Sequence, residues 1–169
     1  MNQETTKDLL EYDDQGKAIM PTGLNVLTIL TFIGCAIGGL FTLFTPMINK
    51  FLLSAMEKAA SGGQEIPADK LREMEKGKAL IELSSQNMIP LMSIGLVGII
   101  LCFVGALWMR KYKKDGYVMY VIGELAPIVG SLFILGTSQF TGVVSILIGL
   151  GVPCLFVILY TLQRKYLTK

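Results

Sequence analysis

Glu124 is the one ionisable side chain well inside a long apolar stretch of this chain. A carboxyl at membrane depth is costly to charge, so it reads by default as a functional group, typically in a proton relay or a cation site. It lies seven residues beyond Tyr117, which on a helix is on the order of 10 Å at about 1.5 Å per residue. Tyr120, one turn earlier on the same face, supplies the nearest hydroxyl. Two prolines add backbone acceptors. Pro127 leaves the carbonyl of Gly123 without its usual amide donor, and Pro153 does the same for Gly149. Counting inward from helix ends also brings Thr31, Cys102 and Cys154 to about the depth of Glu124. Glu124, Tyr120, Gly123, Gly149 and Thr31 therefore form a candidate proton or cation site, built from two loosened helices and one acid. Kinked membrane helices that serve packing alone carry the same prolines and glycines.

Much other chemistry is excluded or unsupported. With no histidine, neither a His-based metal site nor a catalytic triad forms within the chain. The three cysteines, Cys35, Cys102 and Cys154, all fall in apolar segments, where thiols behave as small hydrophobes and give no disulfide framework. A metal site from Cys102, Cys154 and Glu124 rests on depth counting alone, so no metal and no cofactor is assigned. P-loop, GxSxG, HExxH, CxxC and dinucleotide fingerprints are absent. One acid without histidine or a second carboxylate supplies little general acid-base chemistry, so no enzymatic activity is expected. The net charge of +2 does not point to nucleic acid. The dense basic clusters, Arg110 to Lys114 and Arg164-Lys165, abut apolar runs, where they anchor a chain at a membrane surface.

The elements that must position these groups follow from the spacing of charge. In 169 residues, 52% are hydrophobic and 17% charged, and no charge occurs in 18–49, 83–109 or 125–163. A bilayer core takes about 20 apolar residues per helix. The first two runs hold one span each. The third is divided at the polar turn 136–142 and, with the apolar residues before Glu124, makes two. A soluble bundle would need helices apolar on every face, which so small a protein cannot bury. The expected fold is all-α: a polytopic four-transmembrane-helix bundle with spans at about 24–48, 88–109, 117–135 and 143–161. Residues 1–23 read as a flexible cytoplasmic tail, and 24–169 as a single membrane domain. Helix formers on both sides of Ser61-Gly62-Gly63 make 49–86 an extracytoplasmic helical hairpin between the first and second spans. The acidic segment before the first run is unlike a signal peptide, so that run is read as a retained anchor.

Small residues recur along the spans. Gly34 and Gly38 form a GxxxG pair; Gly98, Cys102 and Ala106 repeat at four; Ala126 pairs with Gly130, and Ser145 with Gly149. Such stripes let helices approach closely, within the chain or between a chain and its partner. Nine basic residues fall in the tail, the 110–114 loop and the C-terminus, against six in 49–86. The positive-inside rule then places both termini in the cytoplasm. In length, acidic tail and span count the chain resembles small uncharacterised four-span membrane proteins of bacteria, which implies a plasma (inner) membrane location but no activity. Small multidrug transporters share four spans and an essential glutamate. Theirs lies in the first span of a shorter chain with almost no loops, so their function is not carried over. The first functional expectation is a non-enzymatic accessory or assembly protein, packing in the lipid bilayer against itself (a homo-oligomer) or against a membrane-protein partner. The alternative is a small oligomeric proton-coupled transporter or channel with Glu124 as the proton-carrying residue.

Overall fold

The computed structural model describes residues 14–16, 19–61, 67–140 and 146–167. Over these the chain is all-helical, with α1 (Thr22–Ser61), α2 (Ala68–Gln86), α3 (Met88–Arg110), α4 (Lys114–Leu135) and α5 (Leu147–Tyr166). Four of the five, α1, α3, α4 and α5, are long and apolar enough to cross a membrane. Most of the expected tail, the Gly62-Gly63 break, residues 141–142 of the turn, the start of the fourth span at 143–145 and Ser145 lie outside the described residues.

α1 runs for 40 residues through Pro46, so the first apolar run and its amphipathic continuation are one helix. At about 1.5 Å per residue it is close to twice as long as a hydrocarbon core is thick. Its distal part meets α2 through polar contacts. Asn49 Nδ2 donates to Ser84 Oγ at 3.4 Å and Ser85 Oγ at 3.2 Å, and Lys78 Nζ lies 3.7 Å from Glu57 Oε1. α2 itself has no buried residue.

α3 and α4 form the closest pair. Three residues connect them, with Tyr112 in the left-handed region (φ 59°). The amides of Tyr112 and Lys113 close back onto the carbonyls of Met109 and Trp108, at 2.9 and 3.0 Å, which satisfies the end of α3. The two helices then return antiparallel on a glycine crossing. A methyl group on Gly105 would lie 2.7 Å from the Gly116 carbonyl oxygen, and one on Gly123 2.8 Å from the Cys102 amide. Gly98 and Gly105 are seven residues apart, as are Gly116, Gly123 and Gly130. A seven-residue repeat keeps one seam facing its partner along a left-handed crossing, so backbone meets backbone over several turns. In lipid, where apolar side chains gain nothing by meeting each other, such close packing is a main source of helix association.

The core sits at one end. Leu24, Leu27, Thr28 and Thr31 are buried in the first turns of α1, with Cys102, Ala106 and Met109 late in α3, Tyr120 early in α4, and Tyr160 and Leu167 at the close of α5. Beyond Thr31, α1 buries nothing further among the described residues. Large apolar side chains instead point outward, with Phe133 85% and Ile89 80% exposed, an arrangement suited to lipid. α5 is the least regular helix. It opens with a π-turn over Leu147–Gly151, where the Val152 amide reaches back five residues to the Leu147 carbonyl. Pro153 follows directly, so the missing donor is absorbed by a wider turn.

Candidate functional site

Where the packed end stops, a cavity of about 390 Å³ opens between α1, α3, α4 and α5. Its floor is polar. Thr31 Oγ1 and Tyr160 Oη share a hydrogen bond of 2.8 Å, and the Tyr120 and Tyr160 rings meet with centroids 4.5 Å apart. Tyr160 is 1% exposed and Tyr120 2%, so this layer closes the bundle beneath the cavity. Below it, Arg110 Nη1 donates to Asn25 Oδ1 at 3.1 Å and to Thr28 Oγ1 at 3.0 Å, tying α3 to α1.

Glu124 stands in the wall, one helical turn above Tyr120, and is half-buried. Its Oε2 accepts a hydrogen bond from the Cys102 thiol at 3.2 Å, and the same sulfur lies 3.7 Å from the Tyr120 carbonyl oxygen. The relief expected from the Tyr120 hydroxyl is therefore supplied across the α3–α4 crossing by Cys102. Glu124 is the one charged side chain lining this cavity among the described residues; the rest of its lining is hydroxyl, thiol, glycine and apolar carbon. A smaller cavity of about 120 Å³ between α1, α2 and α3 has no ionisable lining.

Four of the five candidate site residues meet here. Glu124, Tyr120, Gly123 and Thr31 all line the cavity, whereas Gly149 faces the Phe140 ring, with an added methyl 3.4 Å from it. Pro127 packs on Gly98, and the Gly123 carbonyl freed by that proline also lies against Gly98, 2.8 Å from where a methyl would stand. That oxygen is thus taken up by the helix crossing rather than offered to a cation. Cys154 is exposed and apart from Cys102, and no cluster of three His, Cys, Asp or Glu side chains able to hold a metal occurs among the described residues.

The small residues divide by role. Gly98 and Cys102 belong to the α3–α4 seam, Ala106 is fully buried below the floor, and Gly130 abuts Ile94, 2.9 Å from where its methyl would stand. Ala126, half-buried, does not line the cavity. Gly34 and Gly38 line the cavity without close helix contact: a methyl on Gly34 meets nothing within 4 Å, and one on Gly38 only Ile99 at 3.8 Å.

Several site residues escaped the sequence reading. Gly105, Gly116 and Tyr160 were not singled out, although the seven-residue glycine spacing was there to be counted. The polar residues of α1 carried a signal too. Asn25, Thr28, Thr31, Cys35, Thr42 and Asn49 recur at three, four or seven, tracing one face of an otherwise apolar helix. That face is turned inward: Cys35 reaches the Ile99 carbonyl at 3.7 Å, and Thr42 joins the cavity lining.

Comparison with protein-family models, with curated proteins and with solved structures finds no match to this chain.

Proposed function

We propose that this chain is an integral membrane protein working as a small proton-coupled transporter or channel, with Glu124 as the proton-carrying residue. One observation carries the reading. The sole charged group of the cavity faces open space of about 390 Å³, within the size range of small-molecule sites, and has a thiol as its bonded partner. A carboxyl kept for packing alone would be met by a charged donor, as Thr28 Oγ1 is by Arg110. In the orientation given by the basic residues, both termini and the polar floor lie toward the cytoplasm, the cavity opens away from it, and the distal part of α1 with α2 is the extracytoplasmic hairpin. The membrane is then the plasma (inner) membrane of a bacterium, and oligomerisation uses the outward apolar faces.

Infrared titration of the purified protein tests this. A carboxyl stretching band that follows bulk pH in wild type and is missing from Glu124→Gln is expected. A band that ignores bulk pH, with the variant equally folded, would refute the proton-carrying role.

A second reading, the accessory or assembly protein, is favoured by Gly34. Its open surroundings leave a small-residue strip on α1 that, among the described residues, meets only Ile99 at Gly38 and nothing at Gly34. A helix from a second copy or a membrane partner would then occupy the cleft, and Glu124→Gln, a neutral isostere, would be tolerated while Gly34→Leu would break assembly.

A further inference from the structure

We infer that the cavity takes a monovalent organic cation, an ammonium group on an apolar body, with its charge on Glu124. This rests on the proton-carrying reading of Glu124 and names what exchanges with the proton.

Charge gives the sign and the valence. Among the described residues the lining holds one carboxyl and no basic side chain, so an anion would enter without a partner and a divalent cation would keep half its charge uncompensated. The donor set does not suit a divalent metal ion, because no cluster of three His, Cys, Asp or Glu side chains exists among the described residues and the Gly123 carbonyl freed by Pro127 lies against Gly98 at the α3–α4 crossing. Shape gives the body. Around the carboxyl the walls are Ile99, Ile128, Val152 and Phe156, with glycines that deepen the space, and a volume of about 390 Å³ exceeds what an ammonium alone would fill. An apolar group of aromatic size fits beside the charge.

Neutrality then links ligand to proton. A protonated Glu124 that receives R–NH₃⁺ must release its proton to keep the site neutral, so one proton leaves for each cation bound and the reverse exchange frees the cation. The ionisable groups facing Glu124 are Cys35 of α1, Cys102 of α3, Tyr120 of α4 and Tyr160 of α5. All four are neutral when protonated, so none provides a competing positive charge.

The probe is dansylcadaverine, a fluorescent primary amine, with its neutral N-acetyl derivative as control, added to the purified full-length protein in detergent. Saturable binding of the amine is expected, with about one proton released per amine in weakly buffered solution. The acetylated probe should bind at least about tenfold more weakly, the worth of one charge-assisted contact. Glu124→Gln should bring the amine down to the level of the acetylated probe. Gly34→Leu, which fills the cavity where a methyl meets nothing and leaves the carboxyl untouched, should abolish binding of both, so the proposal stays testable if Glu124→Gln misfolds. Equal binding of amine and acetylated probe to wild type, or amine binding that survives Gly34→Leu, would overturn it. The two readings also fail separately. A pH-responsive infrared band without amine binding sinks the ligand class alone. Glu124-dependent amine binding without such a band or proton release sinks proton coupling alone.

Discussion

Replacing Gly105 by alanine tests whether the glycine crossing of α3 and α4 holds the fold together. The added methyl would stand 2.7 Å from the Gly116 carbonyl oxygen, 2.8 Å from the Tyr120 amide nitrogen and 3.0 Å from the Tyr120 α-carbon. All three obstacles are backbone, so no side chain can swing aside. Reaching the ordinary contact distance of 3.4 Å from 2.7 Å requires the helices to part by about 0.7 Å along the whole seam. Overpacking of this kind costs about 1–3 kcal/mol. Alanine regains about 1 kcal/mol of helix propensity over glycine, at least on the scale measured in water. The net expectation is a loss of about 1–2 kcal/mol, since the contacts forfeited at Gly98 and Gly123 add to the clash and keep it above the propensity gain. Gly34→Ala supplies the matched control, with the same propensity gain and nothing within 4 Å of the methyl. It should be neutral or stabilise by up to about 1 kcal/mol. Reversible unfolding in mixed micelles, followed by far-UV circular dichroism, measures both. Equal stability of the two variants would refute the crossing as a source of stability.

The floor and the terminal tie give further tests. Thr31→Val removes the 2.8 Å partner of Tyr160 without changing shape and should cost about 0.6 kcal/mol, the average for hydrogen bonds between membrane helices, and at most about 1.7 kcal/mol. Adding Tyr160→Phe should restore part of that loss, because it removes the Tyr160 hydroxyl that Thr31→Val orphans; a double-mutant cycle in the same unfolding assay measures it. Arg110→Lys keeps the charge but lacks the planar fork that serves Asn25 and Thr28 together, and should lose about 1–2 kcal/mol in that assay. A single cysteine at Ser61, in a Cys35/Cys102/Cys154-free background, should react with an impermeant maleimide from outside the cell; labelling from the cytoplasm alone would reverse the assigned orientation.

The four helices long and apolar enough to cross a membrane were legible because charge is excluded from long runs of the sequence whatever the helices pack against. The site was legible in part. Counting residues along straight helices brought Thr31 and Cys102 to the level of Glu124, and both line the same cavity. Depth fixes height but not azimuth. Cys154 has the right height and faces outward, while Gly149 sits in a π-turn whose extra residue shifts the register of everything before it. The same limit explains Glu124. On its own helix Tyr120 is the nearest hydroxyl, but the group bonded to the carboxyl is Cys102, which comes across the glycine seam. Only a pairing register of α3 with α4 could have named it, and the seven-residue glycine spacing was the clue to that register.

The distribution of close contacts also says which part of the site can move. α3 and α4 are locked by backbone-to-backbone packing over at least two turns of glycine, and α1 is tied to them by Arg110 below the floor. Among the described residues α5 has no such seam. It is held at its far end, through Tyr160 on Thr31, Thr161 Oγ1 and Tyr117 Oη at 2.9 Å, and the Arg164 guanidinium over the Tyr117 ring. Its other half, which lines the cavity with Val152, Pro153 and Phe156, follows a π-turn that has one backbone bond per residue but a looser geometry. A ligand exchanging with a proton on Glu124 needs one wall to yield without disturbing the carboxyl or its thiol partner. Both of those groups ride on the α3–α4 pair, so under the proposed exchange α5, held by its tyrosine and threonine anchors, is the wall expected to yield.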